Sequence, residues 1–252
     1  SHNSNQDKNI KYIMKQHYRK KIPQFATELF ACGKDAGDWM FTGHRYKILY
    51  NAINTSVYTY SFEKAVTIRE KLHVEQNLVI GHVGRFDAQK NHTFLLDIFS
   101  ECVNIVPNAR LLLVGDGEGR TQIQEKAKSL GLEEKVIFTG VRNDVADLLQ
   151  AMDVFVFPSL YEGVPVTMIE AQASGLPCVI SDGVPKDCVI TSGLVTSMKL
   201  SDRPCDWAKH IAAQLNRKRE NHLEEIQAAG YDIVTAAKEL ENFYLKKYGE
   251  ES

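Results

Sequence analysis

The sequence predicts an α/β fold, a parallel sheet with helices on both faces. Three observations carry that reading. From Asn77 onward, short apolar runs alternate with longer amphipathic ones. Several of the short runs are almost continuously hydrophobic, the pattern of parallel strands buried on both faces. Strand–helix alternation along one chain closes, through right-handed crossovers, into a single parallel sheet.

Taken in order, residues 78–83, 110–114, 135–139, 154–157, 178–181 and 194–197 read as strands rich in Val, Ile, Leu and Phe. Between them, residues 92–105, 120–130, 145–152 and 166–174 read as helices. The flanks do not belong to this sheet. Residues 24–31 read as a strand, 35–41 as a helix, and 46–49 as a strand leading into Asn51-Ala52-Ile53-Asn54. After Ser197 the chain is helical with loops and finishes in a long amphipathic segment, 233–248. The opening Ser1-His2-Asn3-Ser4-Asn5 is polar, carries no initiator Met and begins abruptly. The expected organisation is therefore a remnant of another domain with its hinge over 1–54, the sheet domain over 55–230, and a C-terminal helix over 231–252.

Composition excludes several classes. A formal net charge of -2 removes the basic field that non-specific nucleic-acid binding needs. The one basic concentration, residues 11–21, reads as a solvated helix face, with contact to an anionic lipid surface as the alternative. The five cysteines are odd in number, widely spaced and without a Cys-x-x-Cys pair, so they are expected as reduced thiols in a reducing compartment. The eight histidines show no metal-ligand spacing. No apolar run approaches the ~20 residues that span a bilayer, and no secretory signal is visible. A cytoplasmic location is expected.

Ligands of parallel sheets sit at the carboxyl ends of the strands, so the segments just after each strand are the places for chemistry. The first strand ends in Gly84-Arg85-Phe86, with Lys90 just before a helix. Two cations at a strand end beside a helix N-terminus suit a multiply charged anion, and Gly84 lets it approach the backbone. The stretch from Pro158 to Ala171 follows the fourth strand and runs into a helix. Pro165 suits the first helical turn, the amides of Val166 and Thr167 are free to face a ligand, and Gly163 opens the backbone. Glu162 would repel a diphosphate and so should face neutral hydroxyls, as a sugar presents. Glu170, about one turn into the helix, can accept two hydrogen bonds from a cis-diol such as that of ribose.

These residues carry a resemblance. Glu162-x7-Glu170, together with Gly84-Arg85 and Lys90, resembles the donor-site signature of the family 4 retaining glycosyltransferases. The runs 112–118, 136–140, 153–159 and 170–177 resemble the same family, and the likeness extends from about Lys47 to Asp182. Its overall look is that of transferases of bacterial exopolysaccharide synthesis. The resemblance implies the Rossmann-like C-terminal half of a GT-B fold, and it implies roles. Arg85 and Lys90 would bind the donor diphosphate, Glu162 the sugar hydroxyls and Glu170 the ribose. Backbone at Gly163, Val164, Pro165, Val166 and Thr167 would assist, and Val141 would contact the base with Arg142 beside it. It further implies retention at the anomeric carbon, no metal or cofactor, and a glycan or lipid-linked acceptor. Peripheral contact with the inner face of a membrane, through the rest of the N-terminal domain, stays open. Asn51-Ala52-Ile53-Asn54 departs slightly from the family's hinge Asn-Gly-Ile-Asp.

The rivals are weaker. Gly115-Asp116-Gly117-Glu118-Gly119 follows a strand, but the dinucleotide fingerprint wants its third glycine where Arg120 stands, and two acidic residues would oppose a pyrophosphate. A tight strand-to-helix turn explains the run better. Glu162 and Glu170 as a glycosidase dyad would have to flank a glycosidic bond, whereas one sits within a helix. A non-catalytic nucleotide-sugar-binding protein and a GT-B nucleotide-sugar epimerase remain the alternatives.

Overall fold

The computed structural model describes residues 10–249 other than Ser192, with side chains from residue 17 onward. The polar opening of the chain and the side chains of Lys11 and Lys15 lie outside the described residues. The elements in order are α1 (Ile10–Phe25), β1 (Phe30–Ala31), α2 (Lys34–Met40), β2 (Lys47–Ile48), α3 (Thr55–Tyr58) and α4 (Phe62–Leu72). There follow β3 (Leu78–Val83), α5 (His92–Ile105), β4 (Ala109–Val114), α6 (Arg120–Ser129), β5 (Val136–Gly140) and α7 (Val145–Ala151). The chain continues through β6 (Val154–Phe157), α8 (Val166–Ala173), β7 (Cys178–Ser181), β8 (Val195–Met198), α9 (Pro204–Gln214), α10 (Leu223–Ala228) and α11 (Ile233–Gly249).

Two compact units divide the chain. One comprises Ser1–Ile53 with Gly230–Ser252, the other Asn54–Ala229. In the first, β1 and β2 pair in parallel around α2. Where the chain leaves this unit and returns to it, Ile53 and Asp232 form a bridge, with Ile53 N–H on the Tyr231 carbonyl and Ile233 N–H on the Ile53 carbonyl. The strand expected over 24–31 is corrected here: Gln24 and Phe25 finish α1, and only Phe30 and Ala31 are extended and paired. The partner β2 offers two residues, which limits the ladder to two.

The second unit is the expected α/β fold. Its six strands are all parallel, in the order β5-β4-β3-β6-β7-β8. Side chains alternate between two cores, as a pleated strand requires. Leu111 and Leu113 of β4, Val154 and Val156 of β6 and Val179 of β7 join Phe99, Ile123 and Trp207 of α5, α6 and α9. Leu112, Val114, Phe155, Phe157 and Ile180 join Ile68, Leu148 and Met168 of α4, α7 and α8. Strand and helix bounds agree with the sequence reading to within one or two residues. The helix α4 was not foreseen. Ser61 caps it, accepting the Lys64 N–H at 3.3 Å, and it buries only Ala65 and Ile68.

Two further features fix α8. Gly175, at φ 62, ends it, with Gly175 N–H on the Gln172 carbonyl and Leu176 N–H on that of Ala171, the paired bonds of a Schellman stop. Arg219, half-buried in the segment after α9, donates to the carbonyls of Leu149, Met152 and Ser174. One guanidinium thus satisfies orphan carbonyls at the ends of both α7 and α8. All five cysteines are free, and Cys102, Cys178 and Cys188 are buried. Burial pushes the thiols of Cys102 and Cys188 up to about 12, which leaves them unreactive. Among the described residues, no helix is long and apolar enough to cross a membrane.

Candidate functional site

The strand order reverses between β3 and β6. Ligands of open parallel sheets bind at such a switch point, outside the carboxyl ends of the strands. The loops here are residues 84–91 and 158–165, and they hold most of the residues singled out above.

The first loop is anchored by Phe86, whose buried ring stacks on His92 at 4.2 Å. Asp87 caps the short turn Ala88–Lys90 by accepting the Lys90 N–H at 3.1 Å. Asn91 then takes a left-handed conformation at φ 55, one that Asn tolerates better than most side chains. The loop rests on residues 115–119: Phe86 N–H bonds the Asp116 carbonyl at 3.0 Å and Gly119 N–H the Phe86 carbonyl at 2.9 Å. A Cβ on Gly115 would lie 2.1 Å from the Gly84 carbonyl oxygen, and one on Gly117 2.6 Å from that of Phe86. The glycine run is therefore a close-packed support, with the Asp116 carboxylate turned to the Gly117 N–H and to Arg120.

The second loop is clasped from both sides. Leu160 N–H bonds the Gln89 carbonyl at 2.8 Å, the Asn91 amide donates to the Pro158 carbonyl at 3.1 Å, and the Gln89 side chain donates to the Tyr161 carbonyl at 2.9 Å. From the far side, Glu162 N–H bonds the Gly183 carbonyl at 3.0 Å and Ser181 donates to the Ser159 carbonyl. The Glu162 side chain is left 6% exposed and held by both oxygens: Oε1 receives the Lys90 ammonium at 2.6 Å, and Oε2 the Gln89 amide at 3.1 Å. The ammonium also lies 4.6 Å from the centre of the Phe157 ring. Gly84 belongs to the same group, since a Cβ there would sit 3.2 Å from the Lys90 side chain and 2.9 Å from the His82 ring.

Arg85 stands apart. It is exposed, and its guanidinium has no ion-pair or hydrogen-bond partner among the described residues. Pro165 is not inside the first turn of α8, as expected, but at its N-cap with ψ 112; the cap position calls for extended backbone. Val166 and Thr167 open the helix, where first-turn N–H groups have no intrahelical acceptor. Val164 packs against the second core. A Cβ on Gly163 would meet nothing within 4 Å, so the chain's own packing makes no demand for glycine there. Glu170 projects from the same helix and receives the Tyr58 hydroxyl on Oε1 at 2.6 Å. Burial raises its pKa, and the Tyr58 bond acts the other way. Val141, beyond β5, is 77% exposed, and Arg142 beside it forks onto Asp144 at 2.8 and 2.6 Å.

Sequence reasoning missed Gln89 and Tyr58. Gln89 adjoins the predicted Lys90, and a polar amide beside a site cation was a usable signal. Tyr58 gave none, being 112 residues from its partner. Also unforeseen are His82 and His92, buried beneath the first loop with ring centres 4.7 Å apart and each Nε2 without a hydrogen-bond partner among the described residues. Burial holds both imidazoles neutral, His92 with a pKa lowered to about 4. Among the described residues, no group of three or more His, Cys, Asp and Glu is placed to hold a metal ion.

Comparisons with known proteins place the chain in a family. The chain is 37% identical over 236 residues to the EpsF protein of Bacillus subtilis (strain 168), covering 90% of this chain and 62% of that one. It is 29% identical over 150 residues to the UDP-Gal:alpha-D-GlcNAc-diphosphoundecaprenol alpha-1,3-galactosyltransferase of Escherichia coli, covering 58% and 39%. The chain thus spans less than two thirds of either relative. Among solved structures, Anabaena HepE in complex with UDP and glucose superposes with a TM-score of 0.78 at 23% identity, over 91% of this chain and 66% of that one. Sucrose-phosphate synthase from Thermosynechococcus elongatus does so with a TM-score of 0.77 at 21% identity, over 96% and 63%. These likenesses are of fold, and they agree with the GT-B half expected from the sequence. The family model described as Glycosyl transferases group 1 matches residues 77–217, more than half of the chain, and the chain belongs to that family.

Proposed function

We propose that the unit Asn54–Ala229 binds a nucleoside-diphosphate sugar, and that the whole protein transfers the sugar with retention to a glycan or lipid-linked acceptor in polysaccharide synthesis, as a family 4 enzyme of the cytoplasm. One observation carries the reading: at the switch point the Lys90 ammonium and the Glu162 carboxylate are held together at 2.6 Å, on the two loops that also carry Arg85 and lead into the N-terminus of α8. That is a place for a ligand that is anionic at one end and hydroxylated at the other.

The chemistry follows from donor and acceptor counts. An ammonium has three N–H donors; Lys90 gives one to Glu162 and keeps two for phosphate oxygens. Each carboxylate oxygen accepts more than one bond, so Glu162, held by Lys90 and Gln89, still has lone pairs for sugar hydroxyls. Arg85 and the amides of Val166 and Thr167 complete the charge stabilisation of the departing diphosphate, which is the largest contribution this arrangement can make. Glu170 takes the ribose, and Val141 with Arg142 lies toward the base. Cationic side chains and helix amides replace a metal, so no metal or cofactor is required.

The test is calorimetric titration of the chain with UDP-, GDP- and ADP-sugars, with and without EDTA. Binding of one series, undiminished by EDTA, is expected. No binding of any, or a strict need for magnesium or manganese, would overturn the proposal.

A further inference from the structure

Glu170 is held by a residue outside the two site loops. Tyr58 ends α3, and its side chain packs against the core shared by α4, α7 and α8. Its own carbonyl accepts a bond from the buried Gln150 at 3.4 Å, so both ends of the residue are fixed. From there its hydroxyl reaches Glu170 Oε1 at 2.6 Å. Glu170 Oε2 has no partner among the described residues.

We infer that Tyr58 is a positioning residue for the donor's ribose: its hydroxyl immobilises one carboxylate oxygen of Glu170, so that the other is presented, ionised and in a single rotamer, to the vicinal diol. The inference rests on the donor-site reading above. Three physical points support it. A carboxylate on a helix has a broad terminal torsion, and a fixed donor on one oxygen removes that freedom before the ligand arrives, which is the advantage of preorganisation. Burial and the neighbouring Glu170 both raise the Tyr58 pKa, so the phenol keeps its proton and remains a donor. Burial favours the protonated form of Glu170 while the Tyr58 bond opposes it; without the hydroxyl, Glu170 would take up a proton at a higher pH and lose part of its capacity to accept from the ribose.

The experiment compares the chain with Tyr58→Phe, Glu170→Gln and the double variant. The probes are UDP, GDP and ADP and their 2′,3′-dideoxy forms, titrated at pH 8 and pH 5.5. For the ribonucleotide that binds, Tyr58→Phe is expected to weaken affinity about tenfold, in the range of a hydrogen bond to a charged group. The dideoxy form should bind Tyr58→Phe and the parent chain equally, and the double variant should be no weaker than Glu170→Gln. The deficit of Tyr58→Phe should grow at pH 5.5, where its Glu170 protonates sooner. Equal ribonucleotide affinity for Tyr58→Phe and the parent chain would overturn this inference and leave the donor site standing. An equal deficit for the dideoxy form would do the same, since it would mean that the hydroxyl supports the local fold and does not act through the ribose. No binding of any nucleotide by the parent chain would overturn both readings.

Discussion

Replacing Glu162 with alanine should weaken the free protein and yet tighten its grip on a nucleoside diphosphate. The carboxylate is 6% and the Lys90 side chain 16% exposed, with 2.6 Å between the charged atoms. Removing one partner of a fully buried pair costs about 3–5 kcal/mol, because the other charge is left uncompensated. Lys90 keeps some contact with solvent and lies over the Phe157 ring at 4.6 Å, so a loss of about 2–3 kcal/mol is expected. Lys90→Ala should cost about the same, by stranding Glu162. Binding separates the two. In Glu162→Ala the ammonium is no longer neutralised, and UDP, GDP or ADP should bind up to about fivefold tighter, roughly 1 kcal/mol. In Lys90→Ala an unpaired carboxylate faces the phosphates, and affinity should fall by about 1.5–3 kcal/mol. Urea unfolding with and without nucleotide, and calorimetry of each variant, read both quantities. Equal weakening of nucleoside diphosphate binding by the two variants would refute the reasoning.

Arg85→Ala should leave stability within about 0.5 kcal/mol, since the residue is exposed and its guanidinium has no partner among the described residues, while diphosphate affinity drops by about 1.5–3 kcal/mol and nucleoside affinity does not change; calorimetry with both ligands checks it. Gly115→Ala, at φ 137 and with its Cβ on the Gly84 carbonyl, should cost about 2–4 kcal/mol and displace the Arg85 loop; parent-like urea midpoints and affinities would contradict the packing argument. The buried His92 has a pKa lowered to about 4, chiefly by burial. Its folded value lies below its unfolded one, so stability is full above about pH 6.5 and is lost as pH falls toward 4, by roughly 3 kcal/mol. His92→Phe should flatten that loss, and urea midpoints at pH 7 and 4.5 measure it.

What could be read in the sequence was what contiguous residues express. Buried parallel strands are apolar throughout, so β3, β6 and β7 showed their bounds directly. The site motifs were legible because Gly84, Arg85 and Lys90, and Glu162 through Glu170, each sit on one loop or one helix turn. α4 escaped notice because Ala65 and Ile68 are its only buried residues, too few for a periodic stripe. The strand expected over 24–31 was lost to α1 because an extended apolar segment pairs only as far as its partner reaches. Contacts between distant segments left no trace: Gln89 meets Glu162 73 residues on, and the pairing of Tyr58 with Glu170 depends on α3 packing against α8.

Arg219 bears on the order in which the molecule can be made. Its guanidinium covers the last carbonyls of α7 and α8, and the Glu220 carbonyl lies so close to Gly175 that a Cβ there would stand 2.2 Å from it. During synthesis the sheet from β3 to β8 leaves the ribosome before this segment does. Until residues 219 and 220 emerge, the helix that carries Glu170 has its final turn open to water on one side. The end of the unit is thus the clasp of its middle. A ribosome stalled before residue 219 should hold a nascent chain with most of its strands paired and its ligand helix still fraying, and release of a few more residues should set it.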